Sequence, residues 1–288
     1  MSKKIVSRRD LMQLSTGSAV TVALSQQVVA LDNQAGTKKI EASQVKRVDR
    51  QSEPFHTMVA LGESTTAGGW STDPGRCWVA QLGLLINDFQ ESPMQVVNSG
   101  IGANVISTKS PCYEHSGKPA ANQRLEKHVI AHRPDLLIVS YGLNDARGGT
   151  PLELFQREMI RVLQAVRRKI DPLIILPGPY FMTDFTVGGE HWSHADYQLF
   201  REFNRGIEEV AEQQNCLYVD LLEGYAETKW MIHYDGVHAN DLGHRIVANR
   251  IFEKIAQNCS GVALSTKTAE KQSPRWRDES VLKADYGF

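Results

Sequence analysis

Met58-Val59-Ala60-Leu61 runs straight into Gly62-Glu63-Ser64-Thr65-Thr66-Ala67-Gly68-Gly69. Four apolar residues without polar alternation are the pattern of a short strand covered on both faces. The glycines around Ser64 mark a tight turn, so its hydroxyl is expected at the carboxyl end of that strand. In sheets of parallel strands, reactive groups collect at that end.

Outward from this stretch, apolar runs recur at His56–Leu61, Gln95–Asn98, Leu136–Tyr141, Leu173–Leu176 and Leu217–Leu221, each rich in Val, Ile or Leu. Between them, helical spacing covers Arg76–Phe89, where Trp78, Leu82, Leu85, Ile86 and Phe89 share a face. It also covers Ala120–Ala131, Leu152–Lys169, Ala195–Gln214 and Asp241–Gln257. Strands alternating with helices predict an α/β fold with a parallel sheet between two helical layers. The Gly100–Asn104, Gly142–Asp145 and Pro177-Gly178-Pro179 segments then fall at strand ends together with Ser64.

Far downstream, Asp235-Gly236-Val237-His238 places a carboxylate and an imidazole three residues apart. A serine hydroxyl is inert until a base takes its proton, and imidazole titrates near neutral pH. A carboxylate on the far ring nitrogen would fix the tautomer and stabilise the charged ring. Ser64 alone could cap the helix that follows, and Asp235 alone could sit in a turn with Gly236. Jointly, Ser64, Asp235 and His238 point to nucleophilic acyl transfer, with an activity profile rising at about pH 6 to 7.

Four blocks in order, Gly62-Glu63-Ser64, Asn98-Ser99-Gly100-Ile101-Gly102-Ala103-Asn104, Gly142-Leu143-Asn144-Asp145 and Asp235-Gly236-Val237-His238, resemble the SGNH, or GDSL-type, hydrolase superfamily. The resemblance spans residues 55–257. It implies a three-layer α/β/α sandwich around a mostly parallel, five-stranded, flavodoxin-like sheet. It also implies catalysis by Ser64, Asp235 and His238, with an oxyanion hole drawn from Ser64 N–H, the Gly102-Ala103 backbone and the Asn144 amide. Two positions depart from the family pattern. Glu63 stands where Asp is usual, so its carboxylate is re-aimed by one methylene. Ala103 aligns with the usual donor glycine, which a negative φ would permit. The expected activity is cleavage of carboxylic esters, short acyl or O-acetyl on carbohydrate, through an acyl-serine. An O-acyltransferase with the same triad and a silent carbohydrate-binding protein of the same fold remain alternatives.

Trp192 and Tyr113 are candidates for stacking on a sugar or acyl group at the site mouth. Arg147 is a candidate for an anionic substrate group or, equally, a surface salt bridge. Trp230 and Tyr234 are expected to pack beneath the Asp-His pair. His191 and His194 lack a third ligand, and Cys77, Cys112, Cys216 and Cys259 form no C-x-x-C pair, so neither metal nor cofactor is expected. An oxidising compartment would permit a disulfide, Cys77 with Cys112 being one possible pairing.

The 288 residues are 41% hydrophobic and 23% charged, with net charge -1, which gives no general electrostatic case for nucleic acid. Lys3, Lys4, Arg8 and Arg9 precede a weakly apolar stretch, and Ser7-Arg8-Arg9-Asp10-Leu11-Met12 resembles a twin-arginine signal. The expected organisation is an export signal at 1–30, a linker or arm at 31–54, the hydrolase domain at 55–259 and a polar tail at 260–288. The mature protein would be periplasmic or secreted, without a transmembrane anchor, after a transient encounter with the twin-arginine export machinery.

Overall fold

A computed structural model describes residues 48–225, 228–273 and 279–287. The export-signal reading and most of the proposed arm lie outside the described residues.

Five strands, β1 (Thr57–Gly62), β2 (Gln95–Gly100), β3 (Leu136–Ser140), β4 (Leu173–Pro177) and β5 (Leu217–Val219), form one sheet. Their order is β2-β1-β3-β4-β5 and every pairing is parallel. The chain starts mid-sheet, steps out to β2 and returns past β1 to β3. The connections after β1 and β3 therefore diverge, leaving a crevice at their carboxyl ends where ligands bind in such sheets. Register brings Gly62 opposite both Gly100 and Ser140, so three strand ends meet at the residue before Glu63.

The helices Trp78–Asn87 and Asp241–Asn258 pack together on one side of the sheet, and Leu152–Arg167 with Tyr197–Gln213 on the other. Between them Met58, Val59, Ala60, Leu61 and Leu136 to Val139 are buried, as continuous apolar runs demand. Strand β2 departs from that pattern: it is an edge strand, and Gln95, Val96 and Asn98 are exposed.

Three boundaries differ from expectation for identifiable reasons. The helix expected over Ala120–Ala131 is broken into Ala121–Gln123, Leu125–His128 and Ile130–His132. Val129 leaves helical geometry at φ -133° and ψ -65° while becoming fully buried, so tertiary burial overrides helical continuity. Leu221 opens a helix rather than ending β5, because the Asp220 carboxylate accepts from Glu223 N at 2.9 Å. The polar tail forms the short helices Leu264–Glu270 and Ser280–Tyr286. Residues 49–51 are tied to the end of the Asp241–Asn258 helix: Arg50 N donates to Asn258 O at 2.7 Å and Gly261 N to Gln51 O at 2.9 Å. All four cysteines are buried and free, so the permitted disulfide is not formed.

Candidate active site

Ser64 opens the short helix Ser64–Ala67 directly after β1. Close approach makes this turn possible: a methyl on Gly62 would fall 2.1 Å from Thr66 Oγ1, and one on Gly100 would fall 2.1 Å from Ala67 N. Trp78 Nε1 donates to Thr65 O at 2.9 Å and Asn98 Nδ2 to Thr66 O at 2.8 Å, fixing the helix from both sides. Glu63, at the N-cap, does not cap this helix. Its buried carboxylate instead accepts from Leu143 N at 3.0 Å and Asn144 N at 2.9 Å, joining the first block to the third. Burial, reinforced by nearby Asp145, pushes the Glu63 carboxyl up to about 8 against those two donors and Arg147. Asp145 is itself raised to about 6 by burial, although Ile106 N, Ser110 Oγ and Thr150 Oγ1 donate to it. It braces that loop.

The Asp235–His238 turn is closed by the antiparallel bridge Ile232↔Ala239, with Gly236 at φ +78°. Gly236 O accepts from Thr183 N at 2.8 Å, and Ala239 N donates to Tyr180 Oη at 2.9 Å, so the turn is anchored beyond β4. Asp235 Oδ1 accepts from Val237 N and His238 N, both at 3.0 Å, leaving Oδ2 for the ring. His238 Nδ1 lies 2.6 Å from Asp235 Oδ2, and His238 Nε2 lies 2.8 Å from Ser64 Oγ. A carboxylate can only accept, so Nδ1 carries the proton and Nε2 presents its lone pair to the Ser64 hydroxyl. Burial pulls the His238 imidazole below its ordinary value, although Asp235 pulls the other way. Burial raises the Asp235 carboxyl, but the donors from His238 and Val237 outweigh it and hold it below the ordinary carboxylate range.

Gly102 is beside the serine: a methyl there would lie 3.9 Å from Ser64 Cβ, and its carbonyl accepts from Lys118 Nζ at 2.8 Å. Ala103 has φ +52°, so the negative φ that would make alanine unstrained does not hold. Asn144 is buried and its Nδ2 donates to Asn104 O at 3.2 Å, linking the third block to the second.

The substrate candidates fare differently. Trp192 and Tyr113 are half-buried and pack against Val105, Cys112 and Ala120, and Tyr113 Oη donates to Gln123 Oε1 at 2.9 Å. Each therefore keeps part of its surface open to solvent while tying its loop to that small apolar cluster. Arg147 is only 6% exposed, which rules out the surface salt bridge; its guanidinium donates to Val187 O. His191 stacks on His115 with centroids 3.5 Å apart. Trp230 and Tyr234 do not pack beneath the turn: they are 71% and 92% exposed, whereas Met231, Ile232, Val237 and Ala239 of the same stretch are buried.

Sequence reasoning passed over two features. Trp70, 50% exposed, stacks on His233 at 4.8 Å and lies 5.7 Å from the His238 ring. Its only sequence signal was its place just after Gly68-Gly69. Buried Arg124 donates to Ser99 O at 2.7 Å, Gly62 O at 3.1 Å and Tyr141 Oη at 2.7 Å, clamping the ends of β1 and β2 and the residue after β3. Nothing in its polar neighbourhood announced it.

The GDSL-like Lipase/Acylhydrolase family matches this chain over residues 60–246. An acetylxylan esterase from Geobacillus stearothermophilus is 24% identical over 185 residues, 60% of this chain and 78% of that protein. A solved acetylxylan esterase structure from the same organism aligns with TM-score 0.55 and 19% identity, covering 71% of this chain and 95% of the other. A lipase/acylhydrolase from Enterococcus faecalis aligns with TM-score 0.55 and 19% identity, covering 70% and 96%. At these identities the two structures speak for the shared fold.

Proposed function

Because this chain belongs to the GDSL-like lipase/acylhydrolase family and is a carboxylic ester hydrolase, we propose that it removes short acyl groups, O-acetyl above all, from carbohydrate through an acyl-Ser64 intermediate. The observation that carries this reading is the unbroken hydrogen-bonded chain Asp235–His238–Ser64, at 2.6 and 2.8 Å. The carbohydrate part is supported by the acetylxylan esterase relative. An acetylxylan esterase from the same organism has been solved as catalytic mutants in which a serine, a histidine or an aspartate is replaced by alanine.

In this mechanism His238 Nε2 takes the Ser64 proton as Oγ attacks the ester carbonyl. Asp235 stabilises the imidazolium so formed. The oxyanion is met by Ser64 N–H, which as the first residue of its helix is not used by intrahelical bonding, and by Gly102-Ala103 and Asn144. Each such donor is worth about 3 kcal/mol in the transition state. His238 then returns its proton to the leaving alcohol oxygen, and water, activated by the same ring, releases the carboxylic acid and restores the Ser64 hydroxyl.

Acetate release from acetylated xylo-oligosaccharides, set against p-nitrophenyl esters of increasing acyl length, tests this. The reading requires acetate release lost in Ser64→Ala and a steep fall with longer acyl chains. Preference for long-chain esters, or release unaffected by Ser64→Ala, would contradict it. The segment Ser7–Met12 supports export by the twin-arginine route to the periplasm or beyond.

A further inference from the structure

Trp70 is exceptional twice over. It is half-exposed, and its φ of +71° puts a bulky residue in the left-handed region, where side chains are strained. The turn that holds it is firmly built: Gly69 N donates to Ser64 O at 3.0 Å, Ser71 N to Gly68 O at 3.2 Å, and His244 Nε2 meets Gly69 O at 3.3 Å. The indole face lies nearly parallel to His233, 4.8 Å away and inclined by 15°, and His233 in turn meets exposed Tyr234 at 3.9 Å. Three rings thus form a row that starts beside His238. Strain and solvent exposure together are unfavourable for the fold alone, so the row is expected to serve a ligand.

Position decides which part of an ester that ligand is. His238 must hand its proton to the leaving alcohol, so the alcohol lies on the His238 side of the reacting carbonyl. Trp70 abuts the His238 ring at 5.7 Å. The row is therefore on the alcohol side. In an O-acetylated sugar the leaving oxygen is attached directly to the ring, and a pyranose presents a C–H face to an aromatic plane and hydroxyls at its edge. We propose that Trp70, backed by His233 and Tyr234, is a ledge on which the pyranose ring bearing the acetyl group stacks. This rests on the carbohydrate-ester reading above and names the residues that would read its alcohol half.

The test compares two acetates, ethyl acetate and a mono-O-acetylated methyl xylopyranoside, in the wild type, Trp70→Asn, Trp70→Gly and Trp70→Tyr. Asn and Gly accept positive φ, so the ring is removed without new strain, and melting temperatures check the fold. The ledge predicts that Trp70→Asn and Trp70→Gly lower the ratio of kcat/KM for the sugar acetate to that for ethyl acetate about tenfold, through KM. Trp70→Tyr should restore most of it. An unchanged ratio, with the wild type active on both esters, would overturn the ledge and leave the carbohydrate reading intact. A wild type that cleaves ethyl acetate but not the sugar acetate would overturn the carbohydrate reading, and the ledge with it.

Discussion

At the scale of single residues, His238, the base of the proposed mechanism, is expected to set the pH response. A base works only when unprotonated, and burial lowers the His238 pKa, so the base form persists further into acid. The rising limb of kcat/KM against pH should therefore have its midpoint below the ordinary histidine value of 6.5. Asp235 opposes that lowering, so Asp235→Asn should shift the midpoint lower still while reducing kcat by about 10⁴-fold. A midpoint above 6.5 in a stopped-flow or pH-stat profile would contradict this account of the ring. Ala103 allows a second check. Its φ of +52° is strained for alanine, and Ala103→Gly should raise unfolding free energy by about 1 kcal/mol in urea titration.

At the scale of elements, three strand ends must be held level for blocks far apart in sequence to meet. Gly62 and Gly100 permit the approach, and Arg124 enforces it through Gly62 O, Ser99 O and Tyr141 Oη. Arg124→Met would leave those acceptors buried without their donor. Unfolding free energy should fall by about 3 kcal/mol, with kcat falling as Ser64 and Gly102 lose their fixed spacing. An Arg124→Met protein of wild-type stability would show that the clamp is dispensable. The strands were legible because β1, β3 and β4 are buried on both faces and so carry uninterrupted apolar runs. The break at Val129 was not, since a β-branched residue buried from a non-helical conformation leaves the apolar spacing of its neighbours unchanged. Trp70 escaped for a related reason: an exposed aromatic in a glycine turn has no periodicity to mark it, and its meaning comes only from His233 and His238 beside it. Tyr234 departs from expectation because aromatic character alone does not say whether a tight turn points its side chain in or out.

At the scale of the whole molecule, the sheet order β2-β1-β3-β4-β5 puts the crevice between β1 and β3, and Ser64 follows β1 directly. The order of blocks was visible in the chain; their convergence was not, because nothing local relates residue 64 to residue 238. No helix among the described residues is long and apolar enough to cross a membrane. The export reading predicts that replacing Arg8 and Arg9 together by lysine leaves active protein in the cytoplasm of a twin-arginine-competent host, scored by cell fractionation. Unimpaired export would point to another route.

Whether one hydroxyl becomes covalently loaded because one imidazole activates it is measured most directly by mass spectrometry after fluorophosphonate treatment. A single adduct is expected on the peptide carrying Ser64, absent in Ser64→Ala and formed orders of magnitude more slowly in His238→Ala. An adduct elsewhere, or labelling of His238→Ala at the wild-type rate, would contradict it.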